Sequence, residues 1–239
     1  MTDAPRGAVV TGAAGDMGGG VAAALAERGF TVYAADLRPV SPAEGIVPAI
    51  LDVTDRDAVF ALAERAAKAC DLRIWINAAG VFEPARVIDA GPEAWERILG
   101  INLSGTFYGC AAALRVMAAA GRGGRIVNVG SISGQLGGVG VHPAYGASKA
   151  GVHALTKTYA LEGAKHGVYC NAVAPGVLEG RMTAAFPPEA LEKIVGGNPQ
   201  RRLGRMDEVV HAILYLADER ASFTNGVILP LNGGELMTG

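Results

Sequence analysis

Cysteine is scarce: Cys70, Cys110 and Cys170 are odd in number and far apart in 239 residues, which excludes a disulfide framework. The four histidines, His142, His153, His166 and His211, lack zinc-ligand spacing, so no metal is expected. No run approaches the ~18 uninterrupted apolar residues of a membrane span, and the opening Met1-Thr2-Asp3-Ala4-Pro5-Arg6 has no signal-peptide core. A cytoplasmic protein with no membrane partner is expected. A basic surplus is also missing: 21 Lys and Arg stand against 23 Asp and Glu, a net charge of −2, with no cationic run interleaved with aromatics, so no nucleic-acid partner is expected. The Arg201-Arg202 and Arg205 cluster reads as a solvated loop, with contact to an anionic substrate tail as the alternative.

Glycine, by contrast, is abundant. Its 34 copies follow no collagen-like period and fall where strands would turn into helices. With 50% hydrophobic and 18% charged residues, residues 1–239 form most simply one α/β domain. Gly7-Ala8-Val9-Val10 is a short buried strand, and Thr11 to Gly20 is a glycine loop opening the helix that begins near Val21. Strand, glycine loop and helix N-terminus together make an anion site, because backbone N–H groups and the helix dipole favour a pyrophosphate there. Gly12, Gly15, Asp16, Met17 and Gly18 are its cofactor-facing residues. A second strand, Thr31 to Ala35, ends at Asp36, whose carboxylate can accept from adenosine ribose hydroxyls and would repel a 2′-phosphate. NAD is therefore expected over NADP. Arg38 could pair with a phosphate or neutralise Asp36.

Strand Ile46 to Leu51 delivers Asp52 and Val53 to flank adenine, and Thr54 is the expected N-cap of a helix over Asp55 to Cys70. Strand Leu72 to Ile76 leads to Asn77-Ala78-Ala79-Gly80, where small residues leave room for a cofactor. Pro92 to Ala120 is one long helical stretch holding Asn102 among Ile98, Leu99, Ile101 and Leu103; an inward amide there needs a partner, structural or functional. Strand Gly124 to Gly130 delivers Ser131. A helix from about Ala144 to His166 follows, then strand Val168 to Val173 ending in Ala174-Pro175-Gly176. Val177 to Leu203 is rich in breakers and placed as a mobile lid. Asp207 is the expected cap of a last helix over Val209 to Leu216, before a last strand, Gly226 to Leu231. The alternation implies one doubly wound parallel sheet of about seven strands with helices on both faces and ligands over its carboxyl edge.

Tyr145 and Lys149 stand four apart on the helix beginning near Pro143, so both leave one face. An ammonium beside a phenol favours the phenolate, which suits acid/base work.

Thr11-Gly12 with Gly18, Asn77-Ala78-Ala79-Gly80, Asn102, Ser131, Tyr145-x-x-x-Lys149 and Pro175-Gly176 together resemble the compact, single-domain branch of the short-chain dehydrogenase/reductase family, across essentially the whole chain. The resemblance implies a Rossmann-type fold and an oxidoreductase interconverting a secondary alcohol and a ketone. It implies Tyr145 as proton donor or acceptor, Lys149 as the group lowering its pKa and holding the nicotinamide ribose, and Ser131 as the oxyanion donor. Asn102 would anchor a water linking Lys149 to solvent. Ala78, Gly80, Pro175, Gly176 and Val177 would complete the cofactor strip, and a homotetramer or homodimer would form. Ser131 lies three before Gly134, as the family's serine does, although Ser133 is nearer Tyr145 in sequence. Ser133, His142, Met182 and Phe186, with Phe82, Val139 and Val141, are expected to wall the substrate pocket. Gly15 and Asp16 depart from the compact branch's glycine pattern, Gly180 stands where a threonine commonly contacts the carboxamide, and Asn232 replaces an aspartate. Two alternatives are an NADPH-dependent 3-oxoacyl thioester reductase and a non-catalytic dinucleotide-binding regulator.

Overall fold

The computed structural model describes residues 4–138, 140–180, 183 and 186–237. Seven parallel strands form one sheet in the order β3-β2-β1-β4-β5-β6-β7. They are β1 (Arg6–Thr11), β2 (Thr31–Asp36), β3 (Ile46–Ile50), β4 (Asp71–Asn77), β5 (Gly124–Val129), β6 (Val168–Pro175) and β7 (Ile228–Leu231). Of the three strand prolines, Pro48 and Pro230 fall on β3 and β7, the two edges, where a missing N–H breaks no inner ladder, and Pro175 ends β6.

Among the described residues, eight α-helices join them: α1 (Asp16–Glu27), α2 (Arg56–Ala69), α3 (Pro92–Leu99), α4 (Gly105–Ala120), α5 (Ser133–Leu136), α6 (Pro143–Ala164), α7 (Pro188–Gly197) and α8 (Met206–Ala217). Both sheet faces are covered. On one side α2 and α4 pack around Val9, Trp75 and Met117; on the other α1 and α8 pack around Val10, Ile76 and Ile213. The strand order reverses between β1 and β4, which opens the carboxyl edge for a ligand at that point.

Three local expectations are corrected. Asp55, not Thr54, caps α2, accepting from the N–H groups of Asp57 and Ala58 at 3.0 Å; Asp52 takes the Thr54 N–H and hydroxyl instead. At α8 the N-cap is Arg205, whose N–H donates to Glu208, while Asp207 pairs with the Arg205 guanidinium. The helical stretch from Pro92 to Ala120 is interrupted by a π turn, Gly100–Ser104, which carries the buried Asn102. One extra residue in a turn re-aims a side chain, which periodicity cannot reveal. The segment from Val177 to Leu203 contains a regular helix, α7.

Candidate active site

The glycine loop is built against the β4 exit. Gly12 has φ +71°, and a Cβ there would stand 2.7 Å from the Ala78 carbonyl oxygen, so only glycine permits both the turn and the approach. The Thr11 hydroxyl joins the two segments by accepting from Ala78 and Ala79 N–H, each at 3.2 Å. Gly15 caps α1 with no side chain, leaving the first-turn N–H groups of Asp16, Met17 and Gly18 directed at whatever anion enters. The exposed Asp16 carboxylate lies alongside Gly180. Asp36 closes β2 with one carboxylate oxygen accepting from Ala14 N–H at 3.0 Å and the other from Arg38 N–H at 2.9 Å. Its carboxylate is thus tied to the glycine loop, with the Arg38 Nε 3.5 Å away. Asp52 and Val53 follow β3, and Val53 is buried against Gly105.

Asn77 turns inward, accepting from the Trp75 indole at 2.8 Å and donating to Asn128 at 2.8 Å, while Asn128 donates to Thr156 on α6 at 3.0 Å. This buried amide chain fixes β4, β5 and α6 relative to one another. Its polar atoms are partnered, so it orients without leaving a desolvation cost.

Asn102 holds the β4 exit from the other side. Its Oδ1 accepts from Val81 N–H at 2.8 Å, and its Nδ2 donates to the Val81 carbonyl at 2.9 Å and to the Ser148 hydroxyl at 3.2 Å. Ser148 donates in turn to the Tyr145 carbonyl at 2.7 Å. The Asn102 backbone carbonyl accepts from Thr106 at 2.8 Å. Ser148, Thr11 and the Val81 backbone carry geometry for which the sequence held only faint signals, such as a serine in mid-helix one turn after Tyr145.

Ser131, Tyr145 and Lys149 converge. The buried Ser131 hydroxyl lies near enough to the Tyr145 phenol to favour its ionised form and accepts from Ser133 N–H at 3.1 Å. Ser133 thus contributes its backbone, from the first residue of α5. Gly134 makes this possible: a Cβ there would lie 2.7 Å from the Lys149 carbonyl carbon, so α5 can seat directly on α6. The Lys149 Nζ donates to the Val129 carbonyl at 2.7 Å and stands 5.8 Å from the Tyr145 ring centroid. Burial lowers its pKa from 10.5 to about 8. Burial also raises the Tyr145 phenol above its ordinary value, with the Ser131 hydroxyl pulling the other way. Beside Gly80, a Cβ would meet Asn102 Oδ1 at 3.3 Å and Lys149 Nζ at 3.6 Å, so the missing side chain leaves room next to these two buried polar groups. Pro175, at the end of β6, accepts from Ile132 N–H at 3.0 Å; Gly176 donates to Leu231 and Val177 accepts from Gly204.

Phe82 stacks edge-on against Tyr145, centroids 5.4 Å apart, and Phe186 lies 6.4 Å beyond Phe82. These rings form an apolar wall over the phenol. His142 is not part of it. It is 1% exposed; its Nδ1 accepts from Ala144 N–H at 3.2 Å as the cap of α6, and its Nε2 lies 3.2 Å from the Gly91 carbonyl. Both ring nitrogens are engaged in holding backbone, which corrects its placement in the substrate pocket. Met182 and Val139 lie outside the described residues.

An uncapped helix N-terminus behind a glycine turn, an acidic residue closing β2, and a serine–tyrosine–lysine cluster on one cleft define a dinucleotide-binding oxidoreductase. The residues fit such a cofactor: the glycine loop leaves its N–H groups open, and Gly80 leaves space beside Lys149. The family model described as enoyl-(acyl carrier protein) reductase matches residues 12–235. The chain is 39% identical to cis-4-hydroxycyclohexanecarboxylate dehydrogenase of Sinomonas cyclohexanicum, covering 97% of this chain and 96% of that one. It is 35% identical to a 3-oxoacyl-[acyl-carrier-protein] reductase of Thermotoga maritima, covering 95% and 96%. A solved structure of a candidate short-chain alcohol dehydrogenase from Sinorhizobium meliloti 1021 superposes with a TM-score of 0.86 at 32% identity, covering 96% of each chain. The chain belongs to the short-chain dehydrogenase/reductase family and is an oxidoreductase acting on CH–OH and C=O groups.

Proposed function

We propose that the protein is an NAD-dependent dehydrogenase that interconverts a secondary alcohol and a ketone with Tyr145 as acid/base. The convergence of Ser131, Tyr145 and Lys149 on one cleft carries this reading, because it offers two hydroxyl donors to one carbonyl oxygen with a cation beside them. A bound nicotinamide supplies or takes up the hydride. Tyr145 gives its proton to the carbonyl oxygen in reduction and takes it back in oxidation. Ser131 holds that oxygen while negative charge develops on it. Lys149, held by the Val129 carbonyl, favours the phenolate electrostatically and would hold the nicotinamide ribose. Asn102, braced by Val81 and Ser148, would anchor a water that links Lys149 to solvent. Phe82 and Phe186 exclude water from the phenol and favour a substrate with an apolar body.

Asp36 supports NAD: a carboxylate fixed at the end of β2 accepts from ribose hydroxyls and repels a 2′-phosphate. A second reading, an NADPH-dependent 3-oxoacyl thioester reductase, draws on Arg38, half-exposed beside Asp36, and on the Thermotoga relative. Phe107 on α4 and Leu161 on α6 expose large apolar surface, which supports assembly into a homotetramer. Three buried free thiols support a cytoplasmic location.

Steady-state rates with NADH and NADPH, against cyclic ketones and 3-oxoacyl thioesters, test the reading. Turnover of a cyclic ketone with NADH is expected; preference for NADPH with an acyl thioester establishes the second reading instead.

A further inference from the structure

A cavity of about 260 Å³ lies at the amino-terminal edge of the sheet, at the opposite end of the strands from the catalytic cleft. Five arginines line it, Arg6, Arg28, Arg73, Arg125 and Arg220, against two carboxylates, Asp218 and Glu219. In a chain of net charge −2, this concentrates positive charge in one recess. Part of that charge has a structural use. Arg6 donates to the Arg28 carbonyl at 3.2 Å, and Arg125 donates to the carbonyls of Asp218 and Glu219 at 3.4 and 3.1 Å, which neutralises the negative ends of α1 and α8. Arg220 is spent on Asp218.

Two guanidinium groups are less fully engaged. The Arg73 Nε is buried without a hydrogen-bond partner among the described residues, and its Nη1 pairs with Asp71 at 3.6 Å. The Arg28 side chain makes no hydrogen bond among the described residues; its charge meets Asp218 only through space. The accessible N–H groups of Arg73, whose side chain is one-third exposed, and those of Arg28 can meet an oxyanion, the group that matches a guanidinium best. Apolar side chains, Leu25, Phe30, Ile74 and Leu214, form the rest of the lining. Burial lowers the Arg125 pKa, with the Arg73 charge adding to the effect, so an anion here also relieves repulsion between the two.

We propose that this cavity binds a small organic anion, an oxyanion head on a short apolar body, with Arg73 and Arg28 holding the head. The head group can be a carboxylate or a phosphate monoester, and the two are separated by titrating the whole protein with hexanoate and with phenyl phosphate. Isothermal titration calorimetry is run on the wild type and on Arg73→Gln and Arg28→Ala, with hexanol and inorganic phosphate as probes lacking one half of the ligand. Arg28 is exposed, so its variant folds irrespective of what happens at Arg73.

Saturable binding of hexanoate or phenyl phosphate is expected, weakened about tenfold in each variant and weakened by salt, with kcat on the carbonyl substrate unchanged. The responding ligand identifies the head group. Absence of saturable binding of both organic anions overturns the proposal, as does binding equal to wild type in both variants, which would place the ligand elsewhere. Inorganic phosphate or hexanol binding as tightly as the organic anions also overturns it.

Discussion

Asn102 donates to the Ser148 hydroxyl at 3.2 Å, across the junction of the π turn and α6. Through Ser148 it is coupled to the Tyr145 carbonyl, and through its other amide atoms it pairs with both backbone groups of Val81. Asn102→Ala therefore leaves Val81 N–H and C=O without their partner and costs about 1–3 kcal/mol, a fall of roughly 2–12 °C in Tm at this chain length. Ser148→Ala loses one link only and lowers kcat by less than about tenfold. Calorimetry and steady-state rates check both; an Asn102→Ala melting curve equal to wild type contradicts the bracing role.

Alcohol oxidation needs the Tyr145 phenolate, so its rate rises with pH, and removing the neighbouring cation moves that limb to higher pH. Lys149→Met is expected to show the alkaline displacement together with a kcat loss of about 10²-fold or more. Stability reports on the same group. The folded Lys149 titrates at about 8 against an ordinary 10.5, so between these values the unfolded chain holds more protons and stability rises with pH. Lys149→Met lacks that rise, and an unchanged slope between pH 8 and 10.5 would falsify the assignment.

His153 sits one turn beyond Lys149, 7% exposed, with Nε2 lacking a partner. Burial first, then Lys149 and Lys157, lowers its pKa from 6.5 to about 4. The unfolded chain binds the extra proton between these values, so stability falls as pH drops from 6.5 toward 4. Urea titrations across that window are expected to lose this acid slope in His153→Leu and to keep it in wild type.

Gly134→Ala puts a methyl 2.7 Å from the Lys149 backbone and forces α5 off α6. A cost of about 1–3 kcal/mol follows, and since Ser131 moves with α5, kcat falls while NADH affinity, set at the other βα junction, stays near wild type. Equal losses in both would show that the two halves of the cleft are not independent.

Asp36→Ala removes the proposed ribose acceptor and frees the Ala14 and Arg38 N–H groups. The expected result is a fall of about tenfold in kcat/KM for NADH with that for NADPH unchanged or raised. A parallel loss with both nucleotides argues that Asp36 serves only the loop.

Much of this was legible in the chain. The β/α alternation, the glycine loop after β1, Asp36 at the end of β2 and the Tyr145–Lys149 spacing depend on local propensity and period, which act over a few residues. The N-caps at Asp55 and Arg205 differ from the expected Thr54 and Asp207 because several polar side chains compete for the same first-turn N–H groups. His142 shows the limit most clearly: its loop suggested a substrate wall, while the Gly91 carbonyl, 51 residues away, takes its second nitrogen.

By itself, then, the sequence determined the parallel sheet, the anion loop at its first junction and the pairing of phenol with ammonium on one helix face. Only the tertiary structure decided which serine faces Tyr145, that Asn102 projects from a π turn onto Val81 and Ser148, and that five arginines meet at the far edge of the sheet. Those outcomes rest on contacts between segments tens of residues apart, where close packing at Gly134 and the satisfaction of buried hydrogen bonds select one arrangement among several that local pattern allows.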